Sequence, residues 1–114
     1  MSIRIEDISG MDFSDVATGG RLLPVSPGDI LLHDFMEPMG LSANALAKAL
    51  GVPANRVTSI IKGTRGITAD TAYRLGLAFN TTPEFWMNLQ TQYELEITRE
   101  AARKIVKEVR RLAA

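Results

Sequence analysis

The stretch LSANALAKALGVPANRVTSIIKG, residues 41–63, constrains the fold of this chain more than any other feature. It reads as two short helices joined by a turn that contains Gly51. Ser42 opens the first of them, with Leu46, Ala47 and Leu50 on its buried face, and Gly51 ends it as a left-handed cap. The second starts at Pro53, in the first-turn position, carries Val57, Ile60 and Ile61 on its apolar side, and stops at Gly63. Leu46, Ala47, Leu50, Val57 and Ile60 are spaced to bury the angle between the two helices. Ala47 is small, as a close helix crossing demands. This pairing leaves Asn55, Arg56, Thr58, Ser59 and Lys62 on the opposite face of the second helix.

Helical signals continue on both sides. Ser26 caps a helix whose first position is Pro27, with Asp29 near its positive end; Ile30, Leu31, Phe35 and Met39 form its apolar stripe, and Gly40 closes it. A fourth helix runs from Thr68 through Ala72, Leu75, Ala78 and Phe79 to Asn80. A fifth opens with Thr82-Pro83-Glu84 and carries Phe85, Trp86, Leu89 and Tyr93. Thr98 is expected to cap a last helix with the stripe Ala101, Ala102, Ile105, Val106, Val109 and Leu112. The expectation is an all-α fold: a bundle of about five helices over 26–96, a C-terminal helix over 97–114 and an acidic N-terminal extension over 1–25. In the extension, Gly10, Gly19, Gly20 and Pro24 break any long helix. Ile3 and Ile5 give weak support for a short strand.

The net charge is zero, yet it is unevenly placed. Residues 1–40 hold two basic residues against seven acidic ones. Residues 41–76 hold Lys48, Arg56, Lys62, Arg65 and Arg74 against Asp70 alone. A small module that grips phosphates needs a local positive face, not a positive total. A helix standing out from a two-helix corner fits the major groove, and amide, guanidinium and hydroxyl groups match base edges there. Asn55, Arg56, Thr58, Ser59 and Lys62 are therefore the candidate base-reading set. Ser42 and Asn44, at the start of the preceding helix, are placed to hold a phosphate. Lys62 and Arg65 reach toward the flanking backbone.

Other chemistry finds little support. The chain has no cysteine, which excludes disulfides and thiolate metal sites. His33 is the sole histidine and has no partner at metal-ligand spacing, so neither metal nor cofactor is expected. Glu94 and Glu96 lack a cleft signature, and Trp86 and Tyr93 lie at core spacing rather than as a ligand cage. Gly19-Gly20 is followed by Arg21-Leu22-Leu23, not by a phosphate-loop lysine. The start of the chain is not a secretory signal and no run is long enough to cross a membrane, so a cytoplasmic protein, not an enzyme, is expected.

Residues 41–63 resemble the helix-turn-helix of the λ-repressor/Cro-like (XRE) family. Residues 27–96 resemble HigA-type (VapI-like) antitoxins almost end to end, most specifically in PGDIL at 27–31, RGITADTA at 65–72 and TPEFWMNLQ at 82–90. The resemblance implies a compact helical bundle, homodimerisation, binding to operator DNA at its own promoter, and neutralisation of a HigB-type ribonuclease toxin. By motif position it puts phosphate contacts on Ser42 and Asn44, and base contacts among Asn55, Arg56, Thr58, Ser59 and Lys62. One departure is Ala43, where related repressors often carry glutamine; this removes one contact and leaves Asn44 to compensate. Three points stay open. The last helix is either packed on its own bundle or part of a dimer. The segment with Glu6, Asp7, Asp12 and Asp15 is either a cover for a basic toxin or a loose tail. The alternatives in function are a stand-alone XRE-type regulator without a toxin, and an interaction module that has lost DNA binding.

Overall fold

A computed structural model of the protein describes residues 24–113. The strand considered at Ile3 and Ile5 and the acidic segment at 6–15 lie outside them. The described residues form six helices. The first, α1, runs as α-helix over Pro27–Ile30, widens to a π-helix over Leu31–Met36 and returns to α over Glu37–Met39. It is followed by α2 (Ala43–Leu50), α3 (Ala54–Lys62), α4 (Ala69–Phe79), α5 (Pro83–Glu100) and α6 (Ala102–Glu108).

Side-chain caps start four of these helices. The hydroxyls of Ser26, Ser42, Thr68 and Thr82 accept from the backbone N–H of Asp29, Ala45, Thr71 and Phe85, at 3.1, 3.1, 3.5 and 3.1 Å. Each satisfies a donor that the helix start leaves without a partner. Gly40, Gly51, Gly63 and Asn80 end α1 to α4 in the left-handed conformation. Pro53 departs from expectation: it is the N-cap of α3, with extended backbone, and the helix begins one residue later.

The core lies between α1, α2, α3, α4 and the first half of α5. Leu46, Ala47 and Leu50 of α2 and Val57 and Ile60 of α3 are buried, as their spacing predicts. They meet Leu31 and Met36 of α1, Ala72 and Leu75 of α4 and Trp86 of α5. Complete burial of each large side chain is worth about 1.5–3 kcal/mol. The Trp86 indole is fully buried and donates to the Thr81 hydroxyl at 2.7 Å, so its polar atom is satisfied. Phe35 packs at 4.9 Å from its ring and at 5.1 Å from that of Phe79.

Three further expectations are corrected. Met39 is 63% exposed, and Met36 takes its place in the core. The reason is the π-helical turn, in which the N–H of Glu37 donates to the carbonyl of Leu32, five residues back. That register brings Leu31 and Met36 onto one face. Pro38 has no N–H for the Asp34 carbonyl and crowds it, so a widened turn just before it relieves the conflict. Thr98 is not a cap: it lies inside α5, which continues to Glu100, and the break falls at Ala101. No glycine or proline interrupts 84–100, so nothing stops the helical ladder earlier. Finally, α6 ends at Glu108, which leaves Val109 extended and takes Leu112 out of the predicted stripe. Arg103, Lys107 and Arg111 are four apart and repel one another in a helix. Ile105 and Val106 are 41% and 72% exposed, so the α6 stripe is not buried among the described residues.

Candidate nucleic-acid interface

The site is built on the corner between α2 and α3. The α2 C-terminus is closed by Gly51 (φ +75°), whose N–H bonds to the Ala47 and Lys48 carbonyls, while the N–H of Val52 donates to Ala47 at 3.0 Å. The chain then re-enters a helix within three residues. Burial of Val57 and Ile60 sets the phase of α3 and turns Asn55 and Lys62 fully outward, with Thr58 and Ser59 half-buried at the edge. The α3 C-terminus is tied by the Ser59 carbonyl, which accepts from the N–H of Thr64 and of Arg65 and from the Thr64 hydroxyl.

A backbone contact from α1 fixes the depth of α3. Gly28 is buried against it, and a Cβ there would overlap the Ile60 carbonyl oxygen and stand 2.9 Å from its carbon. Only glycine permits that approach.

The predicted site residues divide into three groups. Asn44, Asn55, Ser59, Lys62 and Arg65 have side chains without a hydrogen bond or ion pair among the described residues. Ser42 accepts from Ala45 N–H, which leaves its O–H available as a donor beside the N–H groups that open α2. Thr58 donates to the Asn55 carbonyl at 3.3 Å, in the first turn of α3. Arg56 is held: its Nη1 donates to Asp70 Oδ2 at 2.8 Å, and its side chain is 29% exposed. The same oxygen accepts from Arg74 Nε at 2.9 Å, and Arg74 Nη1 donates to the Leu50 carbonyl at 2.8 Å. The two guanidinium groups, Arg74 first and then Arg56, hold the Asp70 carboxyl below its usual range. Asp70 and Arg74 were not among the residues singled out from the sequence. Two signals were there: Asp70 is the sole acid in the basic block, and Arg74 follows it at helical i,i+4 spacing.

With this geometry in view, the helix-turn-helix (HTH_3) family model matches residues 32–86. The chain is 46% identical to virulence-associated protein I of Dichelobacter nodosus, over 79% of its own length and 84% of that protein's. It is 43% identical to the antitoxin HigA-1 of Vibrio cholerae, over 78% and 84% of the two chains. Among solved structures, the Pseudomonas aeruginosa antitoxin HigA with the higBA promoter superposes at a TM-score of 0.73, with 43% identity, over 79% of this chain and 99% of that one. The chain belongs to the HigA-type (VapI-like) helix-turn-helix family. The all-helical fold expected of a HigA-type chain is the one observed. Its helix-turn-helix is the α2–α3 corner, and the family match, which ends at residue 86, stops short of α6.

Proposed function

We propose that this protein is an operator-binding transcriptional repressor and the antitoxin of a HigBA-type pair, and that it reads DNA with α3. The observation that carries the reading is the outer face of α3. Asn55, Ser59 and Lys62 make no polar contact within the described fold, on a helix whose depth and phase are rigidly set. Side chains so prepared gain their hydrogen bonds from a ligand, and their chemistry is that of base-edge readers. Ser42 and Asn44 hold a phosphate at the start of α2, and Lys62 and Arg65 hold the backbone beyond α3. Family membership supports the DNA and toxin partners, since the matching Pseudomonas structure is of an antitoxin with its promoter. Two copies are needed, because two recognition helices about 34 Å apart address successive turns of the duplex. The protein acts in the cytoplasm as a binding protein without catalytic function. Glu94, considered for acid–base chemistry, accepts from Gln90 at 2.8 Å.

The test is binding of the full chain to the DNA upstream of its own gene, beside an Arg56→Ala, Ser59→Ala double variant of verified helicity. The wild type binds this DNA in preference to unrelated duplex, and the variant loses most of the preference. A wild type without preference at any salt concentration would overturn the reading and leave a protein-interaction module. Co-purification with a small basic protein encoded beside it tests the toxin arm, and failure to bind one leaves a stand-alone regulator.

A further inference from the structure

Arg56 and Arg74 converge on a single oxygen of Asp70, and this geometry goes beyond a general basic surface. Asp70 sits in the first turn of α4, where Thr68 caps the helix and fixes the backbone. From there its Oδ2 reaches across to the start of α3 and accepts from Arg56 Nη1 at 2.8 Å. The carboxylate does not slide along α4, because Arg74 holds it at 2.9 Å and is itself anchored on the Leu50 carbonyl at the end of α2. One ion-pair network thus ties the ends of α2, α3 and α4 that meet at the helix-turn-helix corner.

We propose that Asp70 is a specificity-determining positioning residue of the DNA site: it holds the Arg56 guanidinium so that its remaining N–H edge is presented to a base. The proposal rests on the reading of α3 as the recognition helix. A guanidinium has five N–H donors in a planar fork, and the contact with Asp70 uses Nη1. The edge formed by Nε and Nη2 keeps the fork geometry that matches guanine O6 and N7. Held in one place, the side chain has less rotamer freedom to lose when it meets the base. The carboxylate has a second effect on the ratio of affinities. Among residues 41–76 it is the sole negative charge, and it is paired with two of the five cations there, Arg56 and Arg74. It therefore weakens indiscriminate phosphate binding while it supports one base contact. Specificity is a difference of affinities, and both effects move it the same way. The two arginines keep Asp70 ionised far below neutral pH, so the device is fully charged under any ordinary binding condition.

The experiment uses the full-length protein and two duplexes, the DNA upstream of its own gene and an unrelated sequence of equal length, over a range of salt concentrations. Asp70→Asn is expected to bind the unrelated duplex about threefold more tightly and to lose about tenfold in the ratio of the two affinities, the scale of one bidentate base contact. The salt dependence on unrelated DNA steepens by about 0.9 in log–log slope, as a released Arg56 takes a phosphate. In an Arg56→Ala background, Asp70→Asn lowers the ratio by about threefold at most, because its positioning effect acts through Arg56 and only its charge effect remains. Arg74→Met, which removes the brace to Leu50 while Asp70 can still accept from Arg56, lowers stability and lowers the ratio by less than Asp70→Asn does. An unchanged ratio for Asp70→Asn, or an equal fall with and without Arg56, overturns the proposal while a wild-type preference keeps the recognition-helix reading. A wild type without preference overturns both.

Discussion

Gly28→Ala should destabilise the protein, although alanine is the better helix former. The helix-propensity gain is at most about 0.5–1 kcal/mol, and Gly28 stands in the first turn, where it is smaller. Against it stands a steric conflict with backbone rather than with a flexible side chain. The new Cβ overlaps the Ile60 carbonyl oxygen, and lies 2.9 Å from the Ile60 carbonyl carbon and 3.0 Å from the Ile61 Cα, where ordinary contact begins at 3.4 Å. Relief requires α1 and α3 to part by roughly 0.5 Å or more in a region packed at crystal density. Overpacking of this kind costs about 1–3 kcal/mol. The net loss is therefore about 1–2 kcal/mol, or a fall in Tm of about 4–16 °C for a domain of this size. Urea and thermal unfolding followed by circular dichroism measure it, with Gly28→Val as a second point that must be worse. A Gly28→Ala protein as stable as the wild type would refute the claim that backbone contact at Ile60 sets the depth of α3.

Two further effects follow from polar contacts. Gln90 is 8% exposed, and its Oε1 accepts from the Ile67 N–H at 2.8 Å; Gln90→Leu leaves that buried donor unpaired and should cost about 1–3 kcal/mol in urea unfolding, whereas Glu94→Gln, which touches only the outer end of Gln90, should change little. His33 Nδ1 lies 3.1 Å from Glu37 Oε1, and that hydrogen bond first, then the charges of Glu37, Asp29 and Asp34, raise its pKa above 6.5. A raised folded-state value means that the contribution to stability is complete below pH 6.5 and is lost as pH rises through the folded value. The Tm difference between wild type and His33→Gln should therefore be small and positive near pH 5.5 and vanish by pH 8.5; a difference that grows with pH would contradict the contact.

Where a structural cue is local, the sequence is a reliable guide. Ser26, Ser42, Thr68 and Thr82 cap as their positions predict, because each hydroxyl bonds within three residues. The buried faces of α2 and α3 follow from spacing, and with them the outward placement of Asn55 and Lys62. The misreadings share a cause. A 3.6-residue period puts Met39 on the apolar stripe, but α1 abandons that period between Leu31 and Met36. Thr98 has a capping side chain, but a cap forms only where the helical ladder is interrupted, and α5 runs through it. Ile67 is buried though it lies in no helix, since its environment comes from α5, far along the chain. The pairing of Arg56 with Asp70 spans 14 residues and depends on how α4 sits against α3, which no periodicity encodes.

The three motifs that resemble HigA-type antitoxins most specifically acquire a common physical meaning from these contacts. PGDIL supplies Gly28, whose lack of a side chain lets α1 lie on the Ile60 backbone. TPEFWMNLQ supplies Gln90, which holds the Ile67 N–H and so the segment that leaves α3. RGITADTA supplies Ile67 itself and Asp70, which holds Arg56 at the start of α3. Each lies outside the α2–α3 corner, and each acts on the backbone or a side chain of α3 or on its exit. A helix that reads base edges must be placed to a fraction of an ångström, because a bidentate hydrogen bond tolerates little error in distance or angle. Two buried side chains set the rotation of a nine-residue helix but not its depth and tilt. The surrounding motifs provide the missing constraints, one at the α3 backbone, one at its exit and one at its start. Substitutions at Gly28, Gln90 and Asp70 should accordingly alter DNA selectivity without touching DNA.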